Sequence, residues 1–216
     1  MARPAQPMLS SAPARDGESR PLLAQLGDAA DLVPDGVAAG FATQPPRSAA
    51  GLRAFVEEFQ SRALAAVDLP AILRAHRHSD RNELRELLSF DRELSAAPLP
   101  APFKAASQAV GRRQLHKLRP LRDRRLVQRY IAAVDAGQAH AWHTLVFGLA
   151  LSVFSLPLRQ GMLHYAQATT RRFVVAAAPA AGLVNGDVMQ CVDESCRALP
   201  QLVEAALARH GYQPAG

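Results

Sequence analysis

Apolar residues recur at three- and four-residue spacing along almost the whole chain, and no stretch holds a strand-like alternation between hairpin turns. The pattern predicts an all-α fold. Leu52, Phe55, Val56, Phe59, Ala63 and Val67 make the first clear stripe, entered through Ser48 as N-cap after the Pro45-Pro46 break. Asp68-Leu69-Pro70 reads as the restart of a helix that runs through His76. Asp80 and Glu83 have capping-box spacing ahead of Leu84, Leu87, Leu88 and Leu94, whose face ends at Pro98, Pro100 and Pro102. A helix from about Phe103 carries Val110, Leu115 and Leu118 up to Pro120. The next carries Leu126, Val127, Tyr130, Ile131 and Val134 up to Gly137.

The last third is the most apolar. Trp142, Val146, Leu149 and Val153 share one side of a helix that stops at Ser155-Leu156-Pro157. Leu158, Met162, Tyr165, Thr169, Phe173 and Ala176 then give one long helix from Leu158 to Ala178, broken by Pro179 and Gly182. Asn185-Gly186-Asp187 is expected to cap a single final helix with Val188, Val192, Leu199, Leu202, Val203 and Leu207. Eight to nine helices joined by short Pro/Gly connections make a single irregular helical bundle. Residues 1–20, rich in Pro, Ala and Ser and lacking a continuous apolar run, read as a disordered tail. Residues 21–210 then form one all-α domain, and 211–216 a flexible C-terminus. The uncharged stretch from Ala141 to Leu158 is interrupted by polar residues and Pro157, so it reads as a buried core helix, too short for a bilayer span.

Composition narrows the function more than the fold. At 216 residues, 49% hydrophobic and 20% charged, the chain can bury a full core without disulfide or metal support. Cys191 and Cys196, five apart in a helix, point roughly 140° from each other and are not expected to pair. Neither lysine, Lys104 or Lys117, stands in a phosphate-binding loop, and no dinucleotide fingerprint, nucleophile elbow or zinc-spaced cysteine pair occurs. The sequence therefore offers no catalytic residues and points away from an enzyme. His140 and His143 are three apart, but no Asp, Glu or Cys lies close by to complete a coordination set, so no metal site and no cofactor are expected. His76-Arg77-His78 reads as a helix C-terminus, where cations favour the dipole.

The net charge of +6 is concentrated. Lys104, Arg112, Arg113, Lys117, Arg119, Arg122, Arg124, Arg125 and Arg129 face only Asp123 in one window, which carries +8 and leaves the rest of the chain at −2. Such a field suits an anionic partner, either nucleic acid or an acidic protein surface, although a solvated face has the same composition. Arg171 and Arg172 interrupt an otherwise apolar helix, so one of them lies near the buried stripe. It either pairs in an interface or reaches past the stripe to solvent.

The region from His140 to Leu207 resembles the urease accessory protein UreF family. The resemblance rests on His143-Thr-Leu-Val146-Phe147-Gly148-Leu149, then Leu156-Pro157-Leu158, Tyr165, and the run from Phe173 to Ala178. Upstream, Leu22-Leu23 to Asp28, Asp68-Leu69-Pro70 and the segment from Ala106 to Leu118, with Gly111-Arg112-Arg113, fall in the family's order. Two stretches depart from it. Gly40-Phe41-Ala42-Thr43 lacks the family's His-Ser, and Ala181 to Asp187 replaces its Pro-Leu-Gly-Gln turn.

The resemblance implies a cytoplasmic, non-enzymatic all-α scaffold that forms a homodimer, binds UreD (also called UreH) and recruits the GTPase UreG, so that nickel reaches apo-urease. It implies Tyr165, Arg171 and Arg172 as partner-binding candidates, with Arg112 and Arg113 in the basic window as further ones. The competing reading is a basic helical nucleic-acid-binding protein using the Lys104 to Arg129 patch. It is the weaker one, since the patch has neither interleaved aromatics nor a recognition helix.

Overall fold

The computed structural model describes residues 46–212. The tail 1–20, the motif pieces Leu22-Leu23 to Asp28 and Gly40 to Thr43, and the last four residues lie outside them. Every regular element among the described residues is helical. Nine α-helical segments follow one another among them: α1 (Ala49–Phe59), α2 (Leu69–Asp80), α3 (Leu84–Ser95), α4 (Ala101–Lys117), α5 (Arg125–Asp135), α6 (His143–Val153), α7 (Leu158–Ala177), α8 (Asn185–Cys196) and α9 (Leu199–Arg209). The expected all-α bundle is what forms.

Local chemistry explains the boundaries, including those that differ from expectation. Ser48 caps α1 as its sequence position predicts, its hydroxyl accepting from the Gly51 N–H at 3.1 Å. No new helix starts at Asp68. Residues Gln60–Asp68 are π-helical and join α1 to α2 without a break. The Leu69 N–H donates to the Leu64 carbonyl, five residues back. Proline in an ordinary helix clashes with the carbonyl four residues before it, and the widened turn relieves that clash ahead of Pro70. The capping box at Asp80 and Glu83 does not form either. The Glu83 carboxylate pairs with the His78 ring at 2.8 Å, and Asp80 accepts from the Ser152 hydroxyl. The single final helix is in fact two, because Arg197 and Ala198 turn the chain before Pro200 sets a new first turn.

Two apolar clusters make the core. One gathers α1, α7, α8, α9 and the π-helical stretch around Phe59, Tyr165 and Phe173. The other gathers α3, α5 and the C-terminal end of α4 around Tyr130, Trp142 and Leu149. Helices α2 and α6 cross between them and feed both, with Ile72, Leu73, Phe147 and Leu151 in the first and Ala71, Ala75, Leu145 and Val146 in the second. Helix α6 is buried on every side from His143 to Leu151, so the uncharged stretch is a core helix. No helix among the described residues is long and apolar enough to cross a membrane.

The α2–α6 crossing depends on a small residue. A Cβ on Gly148 would stand 2.3 Å from the Ile72 carbonyl oxygen, so only hydrogen lets the two backbones meet. On the far side, the fully buried Asp91 carboxylate ties the connection into α6. It accepts from the Tyr130 hydroxyl at 2.6 Å and from the backbone N–H groups of His140 at 2.7 Å and Ala141 at 3.0 Å. Those bonds hold Ala141 in a left-handed conformation, φ 57°, that an alanine rarely adopts.

Candidate functional site

Helix α7 carries three of the candidate residues, and its periodicity decides where each points. Leu158, Met162, Tyr165, Thr169 and Phe173 lie on one buried stripe. Phe173 stacks on Phe55 and Phe59, with ring centroids 4.7 Å and 4.2 Å away. Tyr165 is 1% exposed, its ring set against Phe147 and His143 and its hydroxyl donating to the Asp68 carboxyl at 3.1 Å. Burial pushes the Asp68 carboxyl up to about 7, against the smaller opposing effect of that hydrogen bond, and raises the Tyr165 phenol well above its ordinary value. Tyr165 is therefore a core residue with no surface to offer a partner. The stripe that holds it faces α1, α6 and the π-helical stretch, so the partner-binding role that the resemblance implies for Tyr165 does not fit its burial.

Arg171 and Arg172 leave the same helix about 100° apart. Arg171 is exposed and Arg172 half-buried. Both line an open groove of about 710 Å³ between α7 and α8, opposite Asp193 and Cys196. Burial raises the Cys196 thiol while the Arg171 charge opposes that rise. Cys191 and Cys196 are both free thiols, as their spacing predicts. Next to the groove wall, Glu194 turns away to Gln190 and to Arg53 of α1, 2.8 Å distant, and those two contacts hold its carboxyl below the usual range. Val175 is 51% exposed on the arginine side of the groove. Two guanidiniums beside an uncovered apolar side chain suit a protein surface bearing carboxylates.

Arg112 and Arg113 are exposed on α4, which packs on α6. The structure does not bring them to the α7–α8 groove, so the candidates fall on two separate surfaces. Part of the basic window is engaged within the chain. Lys104 donates to the Ser95 carbonyl at 2.8 Å, and Arg119 Nη2 reaches both Asp135 carboxylate oxygens, at 2.7 Å and 2.8 Å. His140 is exposed while His143 is buried against Tyr165, so the two do not share a face. Among the described residues no three His, Cys, Asp or Glu side chains are gathered to hold a metal ion.

Sequence periodicity missed three residues that position these helices: Asp91, Gly111 and Gly148. Asp91 lies among leucines and reads as one more polar residue of an amphipathic helix. The glycines do leave a signal, because glycine inside a helix costs about 1 kcal/mol and needs a close approach to justify it. A Cβ on Gly111 would lie 1.8 Å from the Ala141 carbonyl oxygen.

The UreF family model matches residues 47–181. A search of curated proteins finds no match. The matched stretch begins after Gly40 to Thr43 and stops just before Gly182, so it lies between the two places where the sequence departs from the family pattern. It holds the Gly111-Arg112-Arg113 segment, the Gly148 crossing and the whole arginine-bearing helix. With the helical bundle and these motifs inside one continuous match over more than half its length, the chain belongs to the UreF family of urease accessory proteins.

Proposed function

We propose that this urease accessory protein acts as a non-enzymatic scaffold in the cytoplasm. It joins UreD/UreH, recruits the GTPase UreG as a homodimer and so permits GTP-dependent nickel insertion into apo-urease. The observation that carries the reading is the α7–α8 groove, whose α7 wall lies inside the matched stretch and sets Arg171 and Arg172 at the edge of a buried stripe beside exposed Val175. Guanidiniums so placed can fork onto partner carboxylates.

The test is a pull-down of UreG with the accessory complex, read beside circular dichroism on the same preparation. Arg171→Ala combined with Arg172→Ala is expected to keep the helical signal while lowering capture by roughly tenfold or more, on the order of 2 kcal/mol for a desolvated contact. Urease activation in cells falls with it. Lysine at both positions should recover only part of the loss, since the fork geometry goes with the arginines. Normal capture by the double alanine variant would show the pair to be a solvated face.

A further inference from the structure

The proposed role leaves the basic window unused, and its structure is more specific than its composition. Between α4 and α5 runs a small groove of about 210 Å³. Its floor is apolar, made by Leu115, Ile131 and the partly exposed Val134, and Arg112, His116, Arg119 and Asp135 rim it, Asp135 engaging Arg119 and leaving Arg112 as the rim arginine set against a partner. At the α4–α5 corner, Lys117, Arg122, Arg124 and Arg125 add exposed charge around the loop carrying Pro120 and Leu121. Arg124 and Arg125 begin α5, whose first turn holds no acid, so they oppose the helix dipole.

We propose that the α4–α5 groove is a docking surface for an acidic segment of a partner protein, one that seats an apolar side chain on the Leu115–Ile131–Val134 floor and sets carboxylates against Arg112 and the corner arginines. An apolar floor within a charged rim is the anatomy of a protein interface. A nucleic acid backbone has no apolar group to place there, and among the described residues the corner offers no exposed aromatic on which bases could stack. The groove stands apart from Arg171 and Arg172, so this surface and the proposed UreG-recruiting surface succeed or fail separately.

Fluorescence anisotropy on the full chain tests it with three labelled probes. They are a helical peptide of about 16 residues with leucines at every third or fourth position among glutamates, the same peptide with serine for leucine, and a DNA duplex of about 16 base pairs. The leucine–glutamate peptide is expected to bind. Arg112→Glu and, separately, Val134→Glu should each weaken it by roughly tenfold or more, while Arg171→Ala with Arg172→Ala should not. Because Arg112 is exposed, its variant keeps the fold and decides the matter should Val134→Glu disturb packing. Three results would overturn the proposal. The duplex could bind more tightly than the peptide with a steep salt dependence, the serine peptide could bind equally well, or Arg112→Glu could leave peptide binding unchanged. Absence of any peptide binding would overturn it too.

Discussion

A methyl group at position 111 has nowhere to go. Its Cβ would stand 1.8 Å from the Ala141 carbonyl oxygen and 2.8 Å from the His143 nitrogen, both backbone atoms of a connection that Asp91 holds in place. Gly111→Ala must therefore push α4 off α6, and is expected to lower stability by about 3 kcal/mol. Gly186 is the opposite case. It lies in the first turn of α8, where a Cβ would meet no atom within 4 Å, and its φ is not positive. Gly186→Ala should raise stability by about 0.5 kcal/mol, because it restricts the unfolded chain and meets nothing in the folded one. Urea midpoints of the two variants check the pair, and the same sign for both would contradict the packing described for α4.

At the scale of elements, the π-helical stretch and α7 share a buried acid whose protonation is coupled to folding. The Asp68 carboxyl ionises near 3.8 when the chain is unfolded and near 7 when it is buried against Tyr165. The folded chain thus retains a proton that the unfolded chain gives up. Its contribution is fully present below about pH 4 and is lost as the pH rises through 7, by at most about 4 kcal/mol. Thermal unfolding between pH 5 and 8 is expected to show the midpoint falling with pH, and Asp68→Asn should flatten that slope. An unchanged slope would assign the effect to other groups. This element also shows where sequence reading stops. The stripes on α1, α5 and α7 were legible because one face is apolar and the other polar, and Ser48 because a cap is a local bond. The π-helical stretch was not, since Asp68-Leu69-Pro70 has the residues of a helix start, and only the packing of Gln60, Leu64 and Leu69 against α7, α8 and α9 keeps the axis continuous. Tyr165 was legible as part of a stripe, but a stripe alone does not say whether the chain's own core or a partner covers it. For Arg171 and Arg172, the interruption of apolar character marked the edge of that stripe correctly.

For the whole molecule, two clusters share α2 and α6, while the charged surfaces lie outside them on α4, α5, α7 and α8. Among the described residues no three His, Cys, Asp or Glu side chains are gathered for coordination. Equilibrium dialysis of the purified chain is accordingly expected to find no stoichiometric nickel. One tightly held ion per chain, lost on changing His140→Ala, would contradict it.

The shared pair α2 and α6 has a consequence for synthesis. The chain makes α2 early, yet the helix that covers its apolar face comes only after α3, α4 and α5 have been made. Until α6 has left the ribosome, Ile72, Leu73 and Ala75 lack the helix that α2 packs against most extensively. A nascent chain halted before α6 therefore leaves that face of α2 uncovered. A slow stretch of translation placed upstream of α6 prolongs that exposure, whereas one placed after it does not.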